Sequence, residues 1–138
     1  LPDFANSIYA TPDYIAGHRF DGPEPTARWI AIGGKEVLAQ WRQDSAYSDC
    51  NVHHIVSDML VHLNAVKSGM GFAYLLCFLA DQQTELVRLP KATTEKTISA
   101  WIVTHPDLIL TERVRVCVRF LLEAIFKLES QIRGVDRD

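Results

Sequence analysis

The sequence predicts an α/β protein with a mostly parallel sheet flanked by helices, and three observations carry that prediction. The chain has 138 residues, 48% hydrophobic and 22% charged, which is the size and composition of a domain able to bury a real core. Short β-prone runs alternate with helical stretches across glycine, serine and aspartate turns, the pattern of strands joined by crossover helices. The chain closes on one long amphipathic stretch, residues 112–133.

Charge and cysteine usage narrow the function classes. Fourteen Lys and Arg stand against 17 Asp and Glu, a formal charge of −3, so this segment is not expected to grip a phosphate backbone by itself. No apolar run reaches the eighteen or so residues of a membrane span, because Arg115, Arg119, Glu123 and Lys127 interrupt the most apolar stretch. The opening residues LPDFANSIYATPDYI lack the basic-then-apolar order of a secretory signal. Cys50, Cys77 and Cys117 form no C-x-x-C pair, and we read all three as buried, reduced thiols.

In chain order, the β-prone SIYA meets Thr11-Pro12-Asp13, where threonine suits a helix cap, proline the first helical position and aspartate the positive helix end. A short helix to about Ala16 follows. Residues 17–27, with two glycines and two prolines, form a loop. Arg28–Ile32 is a strand ending at Gly33-Gly34, after which Val37, Leu38 and Trp41 share one helical face. NVHHIV is the next strand and Ser57-Asp58 starts a helix carrying Met59, Leu63 and Val66 inward. Gly69 should end that helix in the left-handed conformation, and Gly71 should lie against neighbouring backbone or a bound molecule. GFAYLL reads as a buried strand, followed by a helical turn around Phe78–Asp81, the strand LVRL and the longer strand TISAWIVTH. In the closing helix Val114, Val118, Leu121, Ile125, Leu128 and Ile132 step by four and three residues and predict a continuous buried face, on a sheet or on a second copy of the chain.

Among chemical constellations, His54, Asp58 and His62 are spaced i, i+4, i+8, which would align three metal ligands on one helix. NVHHIV is strand-like, however, and takes His54 off that helix. No G-x-S-x-G elbow, catalytic cysteine signature, G-x-G-x-x-G or phosphate-loop motif is present, so no catalysis and no cofactor are expected. The two strand-to-helix turns at Gly33-Gly34-Lys35 and Ser57-Asp58 instead predict free backbone N–H groups converging on one sheet edge, an anion-binding arrangement.

Three stretches, IYATPDYIAGH, NAVKSGMGFAYLLCFLADQQTELVRL and WIVTHPDLILTERVRVCVRFLLEAI, are similar in turn to the strand-to-helix segment, the central block and the closing block of one known family, the effector-binding domain of bacterial LysR-type transcription regulators. The resemblance implies a periplasmic-binding-protein-like (type 2) lobe over residues 21–100. Residues 1–20 would then be a crossing strand with a short helix, and 101–138 the return strand and long helix of the partner lobe. It also implies a piece lacking the N-terminal winged helix-turn-helix and the opening half of the first lobe.

By position, Thr11 matches a polar crossing-strand site that can contact effector. Gly33, Gly34 and Lys35 match the turn that contacts small anions, and Ser57 and Asp58 the start of the next cleft-lining helix. Leu76 replaces the usual proline before CFLAD. No loop matching the family's peroxide-sensing cysteine pair surrounds Cys50 or Cys77. The expected function is binding of a small, anionic metabolite in an inter-lobe cleft of a cytoplasmic, self-associating regulator that reaches DNA through its winged helix-turn-helix, without metal or membrane. The competing expectation is a free-standing solute-binding or enzyme domain of the same topology.

Overall fold

The computed structural model describes residues 1–34 and 42–135. The strands are β1 (Asp3–Ala10), β2 (Arg28–Ile32), β3 (Asn51–Val56), β4 (Ala73–Leu76), β5 (Val87–Arg88) and β6 (Glu95–Ser99). The helices are α1 (Pro12–Gly17), α2 (Met59–Lys67), α3 (Cys77–Ala80), α4 (Pro106–Ile109), α5 (Glu112–Lys127) and α6 (Glu129–Ile132). The class is α/β. Two compact units divide the chain, one of Ser7–Leu75 with Leu79–Thr93, the other of Leu1–Asn6, Leu76–Phe78 and Thr94–Asp138.

The larger unit holds the core. β2 and β3 pair in parallel from Arg28↔Asn51 to Ile32↔Val56, as a strand–helix–strand reading requires. On the other side of β2, Ile30 N–H donates to Phe72 O (2.9 Å) and Phe72 N–H to Arg28 O (3.1 Å), again in parallel. Gly71 makes that approach possible, since a Cβ there would lie 2.6 Å from Arg28 O. Trp29 packs its ring 4.1 Å from Phe72 and 5.4 Å from Tyr74, and its Nε1–H donates to Tyr47 O. Ile8, Ala10, Tyr14, Cys50 and Leu89 complete the buried cluster.

The sheet is not mostly parallel. The second half of β1 runs antiparallel to β5, Tyr9↔Arg88 and Ala10↔Val87. Strand–helix alternation sets direction only where a helix carries the chain back to the same edge, and β1 and β5 are not joined that way. With two residues, β5 offers few ladder bonds. A side-chain network adds to them: Tyr9 Oη donates to Asp81 Oδ1 (2.6 Å) and Arg88 Nε–H donates to Tyr9 Oη (2.9 Å).

In the smaller unit the first half of β1 pairs antiparallel with β6, from Asp3↔Ser99 to Asn6↔Glu95, with a register shift between Phe4 and Ala5. The expected strand through His105 stops at Ser99 because its partner β1 begins at Asp3. The expected helix to Arg133 is interrupted at Leu128, whose ψ of 7° lies outside the helical range. None of its predicted face is buried along α5; Leu121 is 41% exposed and Phe120 68%. Cys117 is exposed, correcting the expectation of three buried thiols, whereas Cys50 and Cys77 are buried. Burial pushes the Cys50 thiol up to about 11, so it stays protonated and unreactive.

Candidate functional site

The two turns foreseen from the sequence meet. Gly33 ends β2 with φ 90°, a backbone conformation glycine adopts without strain, and its N–H donates to Val56 O at the end of β3 (3.0 Å). That bond joins the Gly33-Gly34 turn to the Ser57-Asp58 turn at the C-terminal edge of the parallel pair. Lys35 and the helix expected after it fall on 35–41, outside the described residues.

Asp58 caps α2 from a β conformation, and its Oδ1 accepts Leu60 N–H (2.8 Å) and Val61 N–H (3.0 Å). The geometry follows from the residue type, since an aspartate at the cap satisfies donors the helix leaves open. It also changes the chemistry expected here. Two of the N–H groups read as anion donors are already occupied, and a carboxylate now stands beside them. Among the described residues Asp58 Oδ2 accepts no hydrogen bond, and the Gly33 N–H is taken by Val56 O, so this edge offers an acceptor as well as the Gly34 N–H and the Ser57 hydroxyl.

His54, Asp58 and His62 lie on separate features: β3, the cap and the buried face of α2. His62, 3% exposed, places Nε2 2.8 Å from Ile30 O. A carbonyl only accepts, so Nε2 carries the hydrogen. Ile30 O faces the side of β2 on which Ile30 N–H meets Phe72. The histidine there takes a carbonyl that a longer β2–β4 ladder would use. Burial pushes the imidazole below its ordinary range, with the bond to Ile30 opposing. This role was missed in the sequence, where helical spacing marked His62 only as facing the same way as Asp58. Its neighbour Leu63 at a buried position was the available signal. A small cavity of about 20 Å³, room for about one water, lies beside it and is lined by residues including Trp29, Ile32, Arg42, His62 and Tyr74.

Thr11 is not at this edge. Its Oγ1 accepts Tyr14 N–H (3.2 Å) as the α1 cap, and Tyr14 Oη accepts the N–H of Arg28, the first residue of β2 (2.9 Å). Thr11 Oγ1 also lies 3.9 Å from where a Gly69 Cβ would stand. The first turn of α1 therefore sits at the N-terminal end of β2. Five residue steps separate Arg28 from Gly33, roughly 16.5 Å at about 3.3 Å per residue. Gly33, Gly34, Ser57 and Asp58 are brought together, and Thr11 is left out because α1 packs where β2 begins.

No family model and no curated protein matches the chain. Among solved structures it is similar to a periplasmic His/Glu/Gln/Arg/opine family-binding protein from Silicibacter pomeroyi in complex with lysine, with 14% identity and a TM-score of 0.45. The match covers 100% of this chain and 61% of that one, so the chain spans under two thirds of that protein's length.

Proposed function

We propose that this chain is the effector-sensing part of a bacterial LysR-type transcription regulator. It would form a periplasmic-binding-protein-like lobe that binds a small metabolite at the C-terminal edge of β2 and β3. The observation that carries the reading is the Gly33 N–H to Val56 O bond, which joins the Gly33-Gly34 turn to the Ser57-Asp58 start of α2 in one polar edge, the usual place for a ligand on a parallel sheet. The three family-like sequence blocks support the regulatory assignment. The regulator works in the cytoplasm without catalysis, self-associates, and contacts DNA through a separate winged helix-turn-helix. Its effector acts by shifting a pre-existing equilibrium between protomer arrangements.

The polar groups give the effector a shape. An anionic end suits the Gly34 N–H, with Lys35 next to it in the chain, and a hydroxyl or ammonium donor suits Asp58, so hydroxy acids and amino acids fit better than simple anions. Thermal-shift screening of the chain against hydroxy acids, amino acids, dicarboxylates and inorganic anions tests this. A matched effector at about a hundredfold its Kd should stabilise by about 2.7 kcal/mol. That gain should fall in Asp58→Asn and Ser57→Ala. A simple dicarboxylate that binds equally well in Asp58→Asn would overturn the assignment of Asp58 as the acceptor for an effector donor. An effector that leaves the DNA affinity of the regulator unchanged would favour a free-standing solute-binding protein.

A further inference from the structure

The His62 side chain leaves one hydrogen-bonding atom unused. Its ring is 3% exposed and its Nε2–H is engaged by Ile30 O (2.8 Å), so Nδ1 of the neutral ring is an acceptor. Among the described residues nothing donates to Nδ1, yet it is not sealed from water-sized space. The space beside it is the cavity of about 20 Å³, which has His62 in its wall. An acceptor held inside a protein is costly unless a donor reaches it, so this atom calls for a partner.

The cavity adjoins the proposed effector edge. His62 N–H donates to Asp58 O (2.9 Å), one helical turn away, and Ile32 in the cavity wall directly precedes Gly33. The cavity also lies where the β2–β4 pairing stops, since His62 holds the Ile30 carbonyl that the ladder would use next. Parting strands leave a crevice of the kind that ligands occupy in α/β sheets.

The rest of the wall restricts what can enter. Trp29, Ile30, Ile32 and Val52 make it largely apolar, and the Trp29 Nε1–H is engaged by Tyr47 O (3.1 Å). Arg42 brings a positive charge to the same wall, fixed through its Nε–H on Ser48 O (2.8 Å). An ammonium would be repelled by that guanidinium, a carboxylate would set an oxygen against the Nδ1 lone pair, and a methyl would leave Nδ1 without a donor. A hydroxyl donates to Nδ1, offers its oxygen to the guanidinium and needs room for only one heavy atom.

We propose that His62 Nδ1 and this cavity form a subsite of the effector edge that takes a hydroxyl group, so that the effector is a small acid carrying a hydroxyl in addition to the donor read by Asp58. The inference rests on the effector reading of that edge.

Calorimetric titration of the 138-residue chain with serine against alanine, and with glycerate against lactate, tests it, because each pair differs by one hydroxyl. The hydroxylated member should bind about fivefold tighter, the scale of one hydrogen bond. His62→Gln keeps an N–H for Ile30 O and removes the Nδ1 lone pair. Val52→Ile adds a methyl to the cavity wall and leaves His62 in place. Both variants should lose the preference while binding alanine and lactate as the parent does, a result that misfolding cannot mimic. Ser57→Ala should weaken both members of each pair alike. Equal affinities within each pair in the parent, or a preference that survives in both His62→Gln and Val52→Ile, would overturn the subsite and leave the edge standing. No binding of any of the four acids would overturn the edge and the subsite with it.

Discussion

Replacing Gly71 by alanine tests how β4 is held against β2. A Cβ on Gly71 would stand 2.6 Å from Arg28 O and 2.8 Å from Ile30 Cγ1. A carbon–oxygen contact needs about 3.3 Å, so relief requires a shift of roughly 0.7 Å. Neither neighbour yields easily. Arg28 O accepts Phe72 N–H at 3.1 Å, Ile30 N–H donates to Phe72 O at 2.9 Å, and Ile30 is 1% exposed. A shift of that size away from β2 carries both hydrogen bonds beyond normal length, at about 1 kcal/mol each. Residual overpacking adds about 1–3 kcal/mol. The stiffer unfolded chain offsets about 0.4–1 kcal/mol. The net expectation is a loss of about 2–4.6 kcal/mol. Urea unfolding followed by tryptophan fluorescence is a suitable assay, since Trp29 packs on Phe72. The midpoint should fall with the slope unchanged. Gly17→Ala is the control, because its Cβ would meet nothing within 4 Å, and it should be neutral or slightly stabilising. A Gly71→Ala protein within about 0.5 kcal/mol of the parent would show that β4 is not held against β2 by this close approach.

Gly69 has φ 72° after α2, so Gly69→Val should cost about 1–2 kcal/mol through left-handed strain, read from the same urea curves; an unchanged midpoint would refute its role as a required cap. His62 is kept neutral by burial and its folded pKa is lowered, so the unfolded chain takes up the proton first as pH falls through its ordinary range near 6.5. The stability His62 contributes is therefore full above about 6.5 and is lost as pH falls toward the folded value, and the difference in Tm between the parent and His62→Gln should shrink as pH falls. A difference constant from neutral to acid pH would refute this. In the smaller unit Trp101, Leu110, Phe120 and Phe126 are each more than half exposed, large apolar side chains that association would cover. Light scattering should show concentration-dependent self-association of the chain, reduced in a Phe120→Glu, Phe126→Glu double variant. A parent that stays monomeric would refute it.

Much of the larger unit was legible because its signals are local. Thr11-Pro12-Asp13 announces α1, Asp58 caps α2 through donors two and three residues on, and Gly69 closes it, all within one helical turn. β2 and β3 have the bounds their β-branched runs suggested. The candidate edge was half legible: the sequence placed Gly33 and Ser57 at the ends of parallel strands and read Ser57-Asp58 as the helix start, but counted as anion donors two N–H groups that the same cap occupies.

The sequence by itself determined where helices begin and end and which turns need glycine, since caps and left-handed residues answer to neighbours a few positions away. Tertiary structure alone decided strand direction, which reverses between β2–β3 and β1–β5 although both involve short apolar runs. It also placed Thr11 at the far end of β2 from Gly33, and gave His62 a strand carbonyl in place of a metal. These outcomes rest on hydrogen bonds between residues far apart in the chain, such as His62 with Ile30 and Tyr14 with Arg28. The partner in such a bond is set by which elements the packed core brings together, and no local pattern encodes it.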